Sequence, residues 1–205
     1  MIKRISNVNS ENFQQCMKIY EASFPHKERH TVDVISQRIR SGKQFLFAWI
    51  DNNKIIGIAL FWDLGVQKAV IMDYYAIDIE YRNVGIGDNF LRQILAHFHS
   101  HNSNLIIEIE NPFIDESEIK SRRMKFYEKL NFKIIKGFNY LMPSINNLGP
   151  VDMILMINPA VAIEKINKAE MKQLIGKIYQ EMYYQSTKSP FYKVEISKID
   201  KDYLI

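Results

Sequence analysis

The stretch YYAIDIEYRNVGIGDNFLRQIL, from Tyr74 to Leu95, decides the fold of this 205-residue chain. In its first part Tyr75, Ile77 and Ile79 occupy alternate positions, which predicts a strand with one well-buried face. Its last part and the residues just after it place apolar side chains at helical spacing: Phe90, Leu91, Ile94, Leu95 and Phe98. Between the two lies the turn RNVGIG, from Arg82 to Gly87. The sequence therefore predicts a strand, a glycine-bearing turn and a helix in immediate succession.

This order of elements predicts an anion-binding site. The first turn of a helix has backbone N–H groups without intrahelical partners, and the helix dipole attracts negative charge. Gly85 and Gly87 let that backbone come close to a ligand without Cβ collisions. The spacing R-x-x-G-x-G is neither that of a P-loop nor that of a dinucleotide-binding fold. Taken alone, the loop is also compatible with an ordinary strand-turn-helix connection.

Composition indicates a globular protein with a substantial core. The chain is 47% hydrophobic and 24% charged, carries a net charge of +4, and has a sequence pI near 9.0. Cys16 is the single cysteine, which excludes an internal disulfide, and its place on an apolar helical stripe predicts a core residue. No apolar run approaches the roughly 20 residues of a membrane span, and the N-terminus has no signal-peptide core. We expect a cytoplasmic protein without a nucleic-acid or membrane partner.

The remaining pattern predicts an alternation of helices and strands. Ser10 and Thr31 are predicted N-caps of two helices, the first ending near Phe24. Asn52 and Asn53 predict a hairpin turn. The predicted later elements are strands over Gln44 to Ile50, Lys54 to Trp62, Ala69 to Ile79, Leu105 to Glu110, Phe132 to Tyr140 and Val151 to Ile157, and a helix over Glu118 to Leu130.

Beyond Pro159 the composition changes. Apolar residues fall mostly on one face of a predicted long helix: Ile163, Ile166, Leu174, Ile175, Ile178, Met182 and Tyr183. Such a face must pack on the core or on another chain. Phe191 to Ile205 is predicted to be either a tail strand or a partly ordered end.

Three features together resemble the GNAT superfamily of acyl-CoA N-acyltransferases. The turn from Arg82 resembles the pyrophosphate loop of that family, Arg/Gln-x-x-Gly-x-Gly/Ala. The stretch RMKFYEKLNF resembles its second hallmark, Ala-x-x-x-Tyr-x-x-x-Gly-Phe, with Tyr127 and Phe132 in place. Asn131 replaces the usual glycine, and asparagine tolerates positive φ best after glycine. Arg123 replaces a small residue. The third feature is the order of elements across residues 1–157.

The resemblance implies an α+β (α/β) GNAT fold, with a mixed central sheet flanked by helices. It implies a GNAT acyltransferase domain over residues 1–157. The predicted C-terminal helix lies outside the resemblance and is expected as an addition to this fold. Residues 158–205 would be an extension that packs on this domain or on a partner subunit, and a homodimer through the helix is one expected arrangement. The implied reaction is direct transfer of an acetyl group from acetyl-CoA to a primary amine of a small molecule or peptide, without a metal. The alternative is a non-catalytic CoA-binding or protein-interaction module on the same fold.

The resemblance also assigns the CoA contacts. Tyr127 would contact the cofactor and protonate the leaving thiolate. The strand backbone of Tyr75, Ala76 and Ile77 would pair with the pantetheine arm and stabilise the oxyanion. The loop residues assigned to cofactor binding are Arg82, Asn83, Val84, Gly85, Ile86, Gly87 and Asp88. Val84, Gly85, Gly87 and Asp88 would offer backbone N–H groups to the diphosphate, with Arg82 nearby.

Three carboxylates are candidates for the general base. Glu108 and Glu110 alternate within the apolar strand LIIEIE and so point the same way. A lone buried charge is costly, which favours a functional or paired role. We rank Glu108 before Asp73 and Asp73 before Glu110; a water chain and a merely solvated pair are the alternatives. The acidic loop of Asp115, Glu116 and Glu118 is either a lid for a cationic amine or a solvated surface loop.

Overall fold

A computed structural model describes residues 1–26, 29–66, 68–114, 117–143 and 149–205. The α-helices are α1 (Glu11–Ser23), α2 (Val32–Arg40), α3 (Ile86–Ser100), α4 (Glu118–Glu128), α5 (Lys168–Lys177) and α6 (Pro190–Ser197). The longer strands are β1 (Ile2–Ile5), β2 (Gln44–Asp51), β3 (Lys54–Asp63), β4 (Ala69–Ile77), β5 (Asn104–Glu110) and β8 (Val151–Asn158). The short strands are β6 (Lys133–Ile134), β7 (Tyr140–Met142), β9 (Lys165–Ile166) and β10 (Tyr203–Leu204). A mostly antiparallel central sheet with flanking helices confirms the predicted fold class.

The chain divides into two compact units. One contains Met1–Asp63 and Met72–His97, and the other contains Leu64–Ile71 and Phe98–Ile205. The boundary predicted between residues 157 and 158 stays a prediction.

In the first unit the strands follow the order β1-β2-β3-β4, and β2 is antiparallel to both β1 and β3. The predicted caps are confirmed: the Ser10 hydroxyl accepts from the Phe13 N–H at 3.2 Å, and the Thr31 hydroxyl accepts from the Val34 N–H at 3.4 Å. The predicted hairpin is confirmed as well, because Asn52 and Asn53 both have positive φ, 45° and 63°. Two such residues give the turn twist that matches paired strands.

The core of the first unit forms between α1, α2 and the sheet. Cys16, Tyr20, Ile35, Leu46 and Ile58 are fully buried within one apolar cluster. Burial raises the pKa of the Cys16 thiol to about 12. The predicted core role of this cysteine is therefore confirmed.

In the second unit β8 is antiparallel to β5, β6 and β7. The single strand predicted over Phe132 to Tyr140 is wrong, because the chain forms the short strands β6 and β7 instead. Gly137 lies between them with φ of +74°, and the Lys136 N–H donates to the Leu204 carbonyl at 2.8 Å rather than continuing along β8. The left-handed glycine ends the regular strand.

The prediction of a single long C-terminal helix is also wrong. The segment forms β9, α5, a π-helical turn (Ile178–Met182), α6 and β10, and β10 pairs with β9. Helix α5 begins at Lys168 because Asn167 caps it in a reciprocal capping box with Glu170. The apolar side chains of α5 and the π-helical turn are buried within the second unit, so they pack on their own chain: Met171, Leu174, Ile175, Ile178 and Met182. The tail after Phe191 forms α6 and β10 rather than a loose end.

Candidate functional site

The loop predicted to bind an anion lies between β4 and α3. Gly85 has φ of +83°, and Asn83 has φ of +67°. A Cβ atom on Gly85 would meet no heavy atom within 4 Å, so this glycine serves the backbone conformation. Helix α3 then begins at Ile86, and the Asn89 N–H makes an early helical bond to the Gly85 carbonyl at 3.2 Å. The N–H groups of the first turn are left for a ligand.

Gly87 is the second glycine of the loop, and the protein does not require it for packing. A Cβ atom there would lie 3.6 Å from both Ile77 Cγ1 and the Tyr75 hydroxyl oxygen, which is ordinary van der Waals contact. The Tyr75 hydroxyl donates to the Gly87 carbonyl at 2.5 Å, and its ring packs against Phe90 at 5.5 Å. Tyr75 therefore fixes the first turn of α3 against β4, a side-chain role that the sequence did not reveal.

The Arg82 side chain holds the loop in place through two hydrogen bonds. Its Nε donates to the Ile77 carbonyl at 2.8 Å, and its Nη2 donates to the Ser23 hydroxyl at 3.0 Å. Arg82 and Ser23 also line a cavity of about 560 Å³ together with Lys18, Lys54 and Asp78. The guanidinium thus ties the loop to α1. It was predicted simply to lie near the diphosphate.

Asp88 adds a carboxylate to the first turn of α3. It forms an ion pair with Arg92 one turn later, with 2.6 Å between Arg92 Nε and Asp88 Oδ2. The positive charge of Arg92 therefore compensates the negative charge of the Asp88 carboxylate. Val84 and Asn83 are exposed at the tip of the loop, while Ala76 and Ile77 are buried in β4.

Asp73 lies in the middle of β4, in a polar cluster. Its Oδ2 accepts from Gln44 Nε2 at 2.7 Å and from Trp62 Nε1 at 3.3 Å. Burial raises the pKa of this carboxyl to about 6, against the opposing effects of Arg38, Trp62 and Gln44. Arg38 is itself buried, with its guanidinium 5.0 Å from the centre of the Trp62 ring. In the described part of the chain, the buried Gln44 Oε1 has no hydrogen-bond partner.

Glu108 is held by two tyrosine hydroxyls in the second unit. Tyr140 of β7 donates to Oε1 through a short hydrogen bond, and Tyr183 donates to Oε2 at 2.8 Å. Neither contact was predicted from the sequence, although Tyr183 was predicted on the apolar face of the C-terminal segment. The partners lie 32 and 75 residues away along the chain.

Glu110 has a different environment from Glu108, although both lie on β5. Its side chain is 44% exposed and lies 3.8 Å from Lys120 Nζ. Among the acidic-loop residues, Glu118 is exposed in the first turn of α4. Asp115 and Glu116 lie outside the described residues.

Tyr127 lies near the end of α4 in an aromatic setting. Its ring is 5.2 Å from that of Phe126 and 5.4 Å from that of Phe132. Burial raises the pKa of its phenol to about 12, while the charge of Arg123 acts in the opposite direction. Asn131 has φ of +64°, as predicted, and the Phe132 N–H closes the helix end on the Tyr127 carbonyl at 3.1 Å.

The site residues thus fall into two groups. Tyr75, Ile77 and the loop from Arg82 to Asp88 come together in the first unit, whose β4 also carries Asp73. Glu108, Glu110 and Tyr127 belong to the second unit. Across the described ranges, no helix has the length and apolar character that a membrane span requires.

Comparison with known proteins gives a family match. The model of the acetyltransferase (GNAT) family matches residues 13–132. No curated protein matches the chain. A putative GNAT-family acetyltransferase from Bacteroides thetaiotaomicron has a similar structure, with a TM-score of 0.77 and 18% identity, over 91% of this chain and 99% of that one.

Two other solved structures share the fold. The ribosomal-protein-S18-alanine N-acetyltransferase from Escherichia coli has a TM-score of 0.56 and 16% identity, over 80% of this chain and 96% of that one. An aminoglycoside 6'-N-acetyltransferase complexed with coenzyme A has a TM-score of 0.58 and 12% identity, over 80% of this chain and 98% of that one.

Proposed function

Because the chain belongs to the GNAT acetyltransferase family, we propose that it transfers the acetyl group of acetyl-CoA to a primary amine of a small molecule or peptide. The observation that carries this proposal is the start of α3. There a left-handed Gly85 and an uncrowded Gly87 leave the N–H groups of a 15-residue helix open to an anion. An acetyltransferase of the same fold, complexed with coenzyme A, supports the choice of anion.

The residues present fit an acyl-CoA. The backbone N–H groups from Val84 to Asp88 would bind the diphosphate, with Gly87 leaving the room that a side chain would fill. Arg82 would keep the loop in place through Ser23 and the Ile77 carbonyl. The backbone of Tyr75, Ala76 and Ile77 would pair with the pantetheine arm and polarise the thioester carbonyl.

Tyr127 is the proposed acid. In the direct transfer a C–N bond forms, the C–S bond breaks, and the thiolate takes the phenol proton. Because burial raises the phenol pKa to about 12, Tyr127 stays protonated at neutral pH and can donate. Its surroundings of Phe126 and Phe132 strengthen electrostatic interactions by excluding water.

Glu108 is the proposed base for the proton that the amine loses. It is only partly buried, and hydrogen bonds from Tyr140 and Tyr183 fix its carboxylate in place. Asp73 is the second candidate, since a carboxyl with a pKa of about 6 is ionised at pH 7 yet accepts a proton readily. Glu110 is the weakest of the three, because it lies close to Lys120 and is widely exposed.

The acceptor class rests on the same carboxylates, which favour a cationic amine. The names of two proteins with this fold specify an alanine of a ribosomal protein and the 6' position of an aminoglycoside. Both peptide and small-molecule amines therefore belong in an acceptor screen.

Calorimetric titration with acetyl-CoA tests the proposal, with Gly87→Trp beside the wild type. The indole would occupy the space over Tyr75 and Ile77 that a diphosphate needs. We expect micromolar binding by the wild type and at least a hundredfold weaker binding by the variant, followed by thiol release in an amine screen. Absence of wild-type binding would refute the cofactor assignment. Binding without turnover on any amine would favour a non-catalytic CoA-binding module.

A further inference from the structure

The C-terminal extension, residues 158–205, reaches the carboxylate of Glu108. Tyr183, which directly follows the π-helical turn, donates to Oε2 at 2.8 Å. Tyr140 of β7 donates to the other oxygen. Opposite Glu108 on β8 lies the apolar Leu155. The two oxygens are thus fixed by two phenols that come from different parts of the chain.

Tyr179 docks the extension onto β7 at the same place. Its ring stacks on that of Tyr140, with 5.7 Å between centroids and 20° between planes. Its hydroxyl donates to the Leu141 carbonyl at 2.8 Å. Burial, together with the charges of Glu195 and Glu108, raises the pKa of the Tyr179 phenol well above its ordinary value. Tyr179 therefore remains neutral, and its packing fixes the position of Tyr183 four residues later.

The backbone around Tyr183, at the end of the π-helical turn, is irregular. π-helical turns are uncommon and occur often at functional sites. Tyr184 follows with a left-handed φ of +53°, and the Gln185 N–H donates back to the Tyr179 carbonyl at 2.8 Å. A bulky residue in the left-handed region is costly and persists where the surrounding structure demands it.

The solved structures of this fold match different shares of the chain. The two acetyltransferases that match 80% of this chain do so over nearly all of their own length. The Bacteroides protein matches 91% of this chain, which residues 1–157 alone cannot supply. The match to the Bacteroides protein therefore includes part of the extension.

We propose that the extension is a working part of the acyl-transfer site, in which Tyr183 is a positioning residue that orients the Glu108 carboxylate. This role rests on the proposed function, because Glu108 is the base of that reaction. The phenol would hold one oxygen of the carboxylate so that the other lone pairs face the amine. Charge-assisted hydrogen bonds of this kind are stronger than neutral ones and fix direction.

The test compares Tyr183→Phe with Tyr192→Phe. Tyr192 lies in the same extension, and its hydroxyl accepts from Gln180 Nε2 at 3.1 Å, so each variant loses one phenol hydrogen bond. We expect Tyr183→Phe to lower kcat/KM for the amine about tenfold. The KM for acetyl-CoA should be unchanged, and the acid limb of the pH profile should move to higher pH. Tyr192→Phe should change none of these.

A second measurement needs no turnover. The Glu108 carboxyl carbon is followed by NMR during an acid titration of the ¹³C-labelled protein, and Glu108→Gln identifies its resonance. A higher titration midpoint in Tyr183→Phe, with no change in Tyr192→Phe, is expected. Equal midpoints in the wild type and Tyr183→Phe, or equal effects of both variants on the pH profile, would overturn the proposal. A wild type that acetylates no amine would overturn the proposed function instead, while the titration would still decide whether Tyr183 controls the carboxylate.

Discussion

Replacing Tyr127 by phenylalanine removes one oxygen atom from the proposed acid and leaves its packing intact. The side chain is 8% exposed, and its ring keeps the contacts with Phe126 and Phe132. Within the described ranges the hydroxyl has no hydrogen-bond partner. The free energy of unfolding should therefore change by less than about 1 kcal/mol, because no partner is left unpaired.

The expected loss is in turnover. A positioned general acid contributes roughly 100- to 10,000-fold, so kcat of Tyr127→Phe should fall by a factor in that range. Affinity for acetyl-CoA should stay within about threefold, because the loop from Arg82 to Asp88 is untouched. Thiol release at saturating substrate measures kcat, calorimetry measures binding, and urea unfolding measures stability.

The pH dependence follows from the raised pKa of the same phenol. With a pKa of about 12, about one Tyr127 side chain in a thousand is ionised at pH 9, against about one in ten for an ordinary tyrosine. The acid is lost only as pH rises through about 12. Wild-type kcat should thus show no decline up to pH 9 that is due to Tyr127.

Tyr20→Phe is the matched control. Tyr20 is fully buried and its pKa is also raised to about 12, but its hydroxyl donates to the His30 carbonyl at 3.2 Å. Removing that donor should lower the free energy of unfolding by about 1 to 2 kcal/mol and leave kcat unchanged. If Tyr127→Phe behaves in this way, with kcat within threefold of the wild type, Tyr127 is a core residue and the proposed mechanism is refuted.

Two further predictions concern stability. Burial raises the pKa of Asp73 from 3.8 to about 6, so the folded protein favours the protonated carboxyl, and the ionised form costs stability as pH rises through about 6. At about 1.4 kcal/mol per pH unit, Asp73→Asn should raise the free energy of unfolding by up to about 3 kcal/mol at pH 7 and by little at pH 4. Urea unfolding at the two pH values measures this difference, and equal effects at both would contradict the prediction. Asn131 has φ of +64°, so Asn131→Ala should lower the free energy of unfolding by about 1 to 2 kcal/mol and lower the melting temperature. Asn131→Gly should leave both nearly unchanged. An alanine variant as stable as the wild type would contradict the backbone argument.

Local signals predicted much of the fold. The caps at Ser10 and Thr31, the turn at Asn52 and Asn53, and the left-handed Asn131 each depend on a few neighbouring residues. Such features are readable because the side chain bonds to, or relieves strain in, its own backbone.

The environment of the candidate bases could not be predicted in this way. Glu108 and Glu110 look alike in the strand LIIEIE, yet two tyrosines hold one and a lysine lies near the other. The difference comes from contacts with Tyr140 and Tyr183, which local periodicity does not encode. The prediction of one long helix in the C-terminal segment was wrong for a related reason, because pairing between β9 and β10 overrides the helical pattern.

The hydrogen bond between Glu108 and Tyr183 also sets an order of events during synthesis. The two residues are 75 positions apart, so at about 5 to 20 residues per second the ribosome needs roughly 4 to 15 seconds to deliver the second after the first. During that interval β5 and its carboxylate exist in the nascent chain without this phenol. If Tyr183 orients the base as proposed, competence for acyl transfer arises only once the last quarter of the chain has emerged and docked, well after the loop that is proposed to bind acyl-CoA.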